Sequence, residues 1–209
     1  MVHARYRVAL AVLGAAALAS QTATALQASF HEFRVLADQV HADFDLSPVD
    51  PPLLSEINKG GLLRITLAAQ LWRDRVVFDS PIGSLIESTF VVSRGAPGRL
   101  LVRTAAGLDA TVGDGDALRL GLDLAPLDEI VGDHQYYVRA VISTGVLAAR
   151  DIERLGDAVF GSAKEGNGLA DVAKLVFRKA LEISEYFKSS RIEVESPRVA
   201  GDRIRRQRP

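Results

Sequence analysis

The chain has 209 residues, no cysteine and nearly balanced charge, with 25 basic residues against 26 acidic ones. The cysteine count excludes a disulfide framework, thiolate metal sites and a lipidated N-terminal cysteine. A domain of this length can fold on its apolar core alone.

The first element is an export signal. Arg5 and Arg7 form a short positive region with no acid nearby, and Val8 to Ala19 is an apolar run of 12 residues. Polar Ser20-Gln21-Thr22 follows, then Ala23-Thr24-Ala25, with small residues at the two positions a signal peptidase must accept. This is the layout of a cleavable secretory signal over residues 1–25. A bilayer core needs about 20 apolar residues, so the run is short for a membrane span. If left uncleaved, the same segment would tether the protein to the inner membrane. The expected compartment is the periplasm or the extracellular space. The mature chain then has 23 basic and 26 acidic residues, a net charge of −3.

Beyond the signal, residues 35–46 alternate. Val40, Ala42, Phe44 and Leu46 face one way, and His41, Asp43 and Asp45 the other, which predicts a strand with one wet face. Asp50 reads as the cap of a short helix with Pro51 near its first turn, and Lys59-Gly60-Gly61 ends it. Leu63, Ile65, Leu67, Ala69 and Leu71 alternate with Arg64, Thr66, Ala68, Gln70 and Trp72 as a second strand. Arg73-Asp74-Arg75 reads as a turn into Val76-Val77-Phe78. Further strands are expected over residues 84–94, 100–102, 109–112, 118–124 and 135–143, with loops at Arg94–Gly98 and Gly113–Asp116.

The last third changes character. A short helix is expected within Leu147–Phe160 and a glycine-rich loop over Gly161–Gly168. Leu169, Val172, Ala173, Val176, Ala180, Ile183 and Phe187 then keep helical spacing, predicting a long helix packed on a sheet. Arg191–Glu195 reads as a closing edge strand. Residues 196–209 carry five arginines against Asp202 alone and are expected to form a basic disordered tail. The fold class is therefore mainly β to α+β: an antiparallel sheet or sandwich of about 7–8 strands with a long C-terminal helix, in one domain over residues 26–195.

Chemistry-bearing groups are sparse. His41 and Asp43 share a wet strand face, but zinc would need further ligands. Asp133-His134 precedes a strand and reads as loop polarity. Asp114-Gly115-Asp116, with Asp109 upstream, clusters oxygen donors but has the composition of a hairpin turn and lacks the spacing of a calcium loop. Ser162-Ala163-Lys164 would need burial to lower the lysine pKa. No serine-hydrolase elbow, phosphate-cradling loop or dinucleotide fingerprint occurs. Trp72, beside Arg73-Asp74-Arg75, reads as packing at the sheet rim; the alternatives are a ligand groove or an arginine stack.

One resemblance covers most of the mature chain. The order runs from a secretion signal to a helix ending in Asn58-Lys59-Gly60 and a long strand ending in Leu71-Trp72-Arg73-Asp74-Arg75. A serine-bearing strand, a leucine-alternating segment and Tyr136-Tyr137-Val138-Arg139-Ala140 follow. This arrangement resembles the DUF4390 family of uncharacterised bacterial exported proteins, although Val76-Val77-Phe78 stands where that family has a tryptophan-rich segment. The resemblance implies an envelope protein and brings no functional residues with it.

No catalytic, cofactor-binding or metal-binding residue is assigned, and no cofactor is expected. The leading expectation is a non-enzymatic envelope domain that binds a partner protein or an apolar ligand. One alternative is an exported hydrolase with a dispersed site drawing on His41, Asp43 and His134. The other is peripheral attachment to an anionic membrane surface through the arginine tail. Export disfavours a nucleic-acid partner for that tail.

Overall fold

The alternating leucines of residues 63–71 and 118–124 resolve into two facing antiparallel sheets, seen in a computed structural model that describes residues 26–104, 107, 109–152 and 188–207. The signal segment, the 161–168 loop and the long helix expected over 169–187 lie outside the described residues. Residues 149–152 are helical, and the remainder of the expected 147–160 helix also lies outside them.

The small sheet contains β1 (Ala28–Leu36), β2 (Gln39–Leu46) and β7 (Leu118–Pro126), with β2 in the middle. The large sheet is built on β3 (Leu62–Asp74), β4 (Ser80–Arg94), β5 (Arg99–Thr104), β6 (Asp109–Gly113) and β8 (Gln135–Leu147). Its order is β8-β3-β4-β5-β6, and the outer edge of β8 is covered by β9 (Lys188–Glu195) and β10 (Val199–Ala200). Helix α1 (Pro51–Asn58) carries the chain from the small sheet to the large one. Asp50 caps it by accepting from the Leu53 N–H at 3.1 Å, and Gly60, at φ +100°, takes the left-handed turn that ends it.

Period two explains the layering. Val40, Phe44 and Leu46 from β2, Leu118 and Leu120 from β7, and Leu63, Ile65, Leu67 and Leu71 from β3 join one buried cluster. Phe30 and Phe33 add rings tilted against each other at 4.9 Å.

Three segments differ from expectation. The 35–46 strand is really the end of a hairpin, because β1 precedes β2 through a two-residue turn at Ala37 and Asp38. Both turn residues have positive φ, 48° and 59°, the conformation of the tight turns that match strand twist. Neither is glycine, so the usual turn signal is missing. A bulge at His31 also breaks the alternation of β1, keeping both Phe30 and Phe33 on the core side. Second, the turn expected at Arg73-Asp74-Arg75 comes later, because Arg73 and Asp74 still belong to β3. Val76-Val77-Phe78 forms the tip of the β3–β4 hairpin.

The third difference is the arginine-rich end, of which residues 196–207 are part of the fold. Ser196 continues the β9 edge, with its N–H donating to the Val138 carbonyl at 3.0 Å and its Oγ accepting from the Val138 N–H at 2.9 Å. Strand β10 then pairs with Tyr136 and Gln135, and a short helix α2 (Gly201–Arg206) follows. Ile204 is fully buried, and the Gln207 carbonyl accepts from the Val35 N–H of β1 at 2.9 Å. The expectation of a disordered tail weighed the arginines and overlooked the apolar Val199 and Ile204 among them. Arg203, Arg205 and Arg206 point to solvent while Ile204 enters the core.

Candidate interaction surface

The β3–β4 hairpin extends to a five-residue loop, Arg75-Val76-Val77-Phe78-Asp79. Val76, Val77 and Phe78 have relative exposures of 105%, 75% and 81%. Consecutive apolar side chains bared to this degree are uncommon on a soluble domain, whose exposed apolar residues are usually scattered singly. Leu85 on β4 and Val131 in a neighbouring turn are the other large apolar side chains exposed among the described residues.

The loop is held from beneath. One carboxylate oxygen of Asp79 accepts from the Arg75 N–H at 3.2 Å and closes the loop on itself. The other accepts from the Tyr137 hydroxyl at 2.6 Å and ties the loop to β8. Tyr137 is fully buried, and burial together with its bond to Asp79 pushes its pKa up to about 12. Its hydroxyl thus remains a donor throughout the neutral range. Asp79 is shifted the other way, below the ordinary carboxylate value, first by the Tyr137 hydroxyl and then by the Arg75 N–H.

Cations stack on the aromatic rings at the hairpin base. The Arg139 guanidinium lies 5.1 Å from the ring centres of both Trp72 and Tyr137, and that of Arg198 lies 4.4 Å from Tyr137. Glu195 joins the two arginines, accepting from Arg139 Nε at 3.0 Å and Arg198 Nη1 at 2.7 Å. Arg198 also reaches Asp74 at 3.6 Å. The strand pairing produces this stack, because Trp72 lies opposite Tyr137 and Gln70 opposite Arg139. Trp72 is therefore an arginine-stacked residue of the sheet's outer face. An open depression beside the tip is lined by Asp74, Arg75, Val76, Asp133, His134 and Gln135.

A second polar constellation covers the outer face of the small sheet. Cross-strand register sets His41 between Arg34 and Asp123, and Asp43 between Glu32 and Gly121. His41 Nδ1 lies 2.7 Å from Asp123 and Nε2 3.3 Å from Asp43. Arg34 Nε pairs with the other Asp43 oxygen. Next to them, Asp45 holds His31 at 2.7 Å and Arg119 at 2.9 Å. Gly121 is required here, since a β-carbon at that position would overlap both the His41 ring and the Asp43 carboxylate.

The hydrogen bond that His41 donates to Asp43 raises the His41 pKa above 6.5, against the opposing effect of burial. Burial pushes Asp43 up, but the hydrogen bonds from His41 and Arg34 outweigh it and leave the carboxyl below its ordinary value. Both imidazole nitrogens are occupied by carboxylates, so neither is free to take a proton from a nucleophile. The structure brings together His41 and Asp43, but His134 lines the tip-side depression with Asp133 at 3.9 Å. Asp43 is 2% exposed rather than on a wet face, because Arg34 and His41 lie over it. Gly113–Asp116 is a turn between β6 and β7, closed by the Asp116 N–H on the Gly113 carbonyl at 3.1 Å. Among the described residues, no three acidic or histidine side chains converge as cation ligands.

No protein-family model, curated protein or solved structure matches the chain. The resemblance to the DUF4390 proteins thus stands on the order of sequence features alone. Sequence reasoning missed Asp79, Tyr137 and Arg198 as partners and placed the turn at Arg73-Asp74-Arg75, ahead of the tip. A signal was available: Val76–Phe78 is an apolar run without alternation, bounded by Arg73-Asp74-Arg75 and by Asp79. Such a run does not carry the alternation of a half-buried strand.

Proposed function

We propose that the protein is an exported envelope protein without enzymatic activity, and that it binds its partner through the β3–β4 hairpin tip. The observation that carries this reading is the full exposure of Val76, Val77 and Phe78 on a loop secured by Asp79 and Tyr137. Apolar side chains held out in water by a braced loop gain free energy once something covers them. Preorganisation lowers the entropy lost on contact. The secretory layout of residues 1–25 supports an envelope location. The hydrolase alternative has less support, because His41 has both nitrogens engaged and no nucleophile beside it among its bonded partners.

Replacing Val77 and Phe78 with aspartate tests this reading. Neither side chain belongs to the core, so the thermal midpoint should stay within a few degrees of the parent. Cofractionation of the protein with the cell envelope should fall by about tenfold or more, given the apolar surface removed. Cofractionation unchanged in the double variant would remove the tip from the function.

A further inference from the structure

The tip has a second feature at its base that indicates what it contacts. Gln135, opposite Asp74 on β3, also pairs with Ala200 of β10. The Gly201 N–H donates to the His134 carbonyl at 2.8 Å, so α2 begins beside the depression that Val76 lines. Arg203, Arg205 and Arg206 of α2 are exposed, as is Arg75 within the tip. Of the acids of the hairpin, the two nearest the tip are engaged, Asp79 by Tyr137 and Asp74 by Arg198, while Glu87 lies exposed farther along β4. Asp202 faces Arg206 at 3.9 Å, and Asp133 faces His134 at the same distance. Glu129 and Asp128, exposed ahead of Val131, are the remaining carboxylates on the approach to that turn.

We infer that the tip and α2 together dock on a bilayer surface bearing anionic headgroups. The inference rests on the tip being the binding surface, as proposed above. Two arguments select a bilayer over a protein. A stable protein interface takes roughly 20–30 residues a side, and a projecting tip of three apolar residues falls far short. A bilayer needs no matched surface: Val76, Val77 and Phe78 enter the interfacial region while the arginines beside them meet headgroup phosphates. This moves the basic end of the chain from a loose tether to a fixed helix, ordered by Ile204 and beginning beside the depression that Val76 lines.

The protein purified after export should sediment with vesicles of phosphatidylethanolamine and phosphatidylglycerol, and more weakly with phosphatidylcholine alone. Salt should weaken the binding. Phe78→Asp should lower the partition by at least about tenfold with no change in thermal midpoint. Arg203→Gln with Arg205→Gln should lower it by about fivefold per arginine and flatten the salt dependence. A Trp72→Phe, Phe78→Trp variant places the only tryptophan at the tip, where brominated lipid should quench its emission. Absence of binding to anionic vesicles, or equal binding by Phe78→Asp, would overturn the inference. If vesicles fail while the aspartate pair at positions 77 and 78 still abolishes envelope cofractionation, the tip binds a protein and only the lipid assignment falls. If both fail, the interaction reading falls with it.

Discussion

His41 shows how a polar group can be locked into a sheet face. Asp123 and Asp43 occupy its two nitrogens, Arg34 covers Asp43, and Gly121 leaves the ring its room. The raised pKa fixes the sign of a pH effect. A histidine that binds its proton more tightly when folded contributes stability that is fully present below its ordinary 6.5. That contribution is lost as pH rises through the folded value. Chemical denaturation across neutral pH should show this decline in the parent and a flatter profile in His41→Asn. Gly121→Ala should displace the ring and bring its titration, followed by NMR, back toward 6.5. At the other end, Tyr137→Phe removes one of the two bonds holding Asp79. It should reduce stability by about 1 kcal/mol and speed amide exchange within residues 75–79 more than elsewhere.

At the scale of elements, the chain end is part of the fold. Ile204→Ala should lower the unfolding free energy by about 3 kcal/mol, the usual loss for a fully buried isoleucine, measured by urea denaturation. A dispensable tail would show no effect. The β1–β2 turn offers the opposite sign. Ala37 holds φ 48° without a glycine's freedom, so Ala37→Gly should raise stability by about 1 kcal/mol. These two elements also mark where the sequence was hardest to read. Strands β2, β3, β7 and β8 and helix α1 were legible because each keeps one period and ends at a recognisable cap or turn. Strand β1 was not, because its His31 bulge shifts the alternation and its turn lacks glycine. The end of the chain was obscured by composition, as five arginines outweigh Val199 and Ile204 in any average. In the candidate site, Trp72 and the tip residues were visible as unusual, but their brace was not. Asp79 and Tyr137 are 58 positions apart, and only the β3–β8 register brings them together.

For the whole molecule, the consequence is an asymmetric sandwich. One outer face is sealed by a carboxylate, histidine and arginine lattice. One end carries the bare apolar tip, the stacked arginines that support it and the exposed cations of α2. A surface lattice whose charges satisfy one another gains little from a partner, whereas an uncovered apolar tip gains by contact. Site-specific photocrosslinking in intact envelopes tests this division most directly. A photoreactive phenylalanine analogue placed at position 77 should yield adducts with lipid or with a defined protein. The same group at position 117, in the exposed turn before β7, should give background levels. Equal yields from the two positions, or none from position 77, would contradict the tip as the surface through which this protein acts.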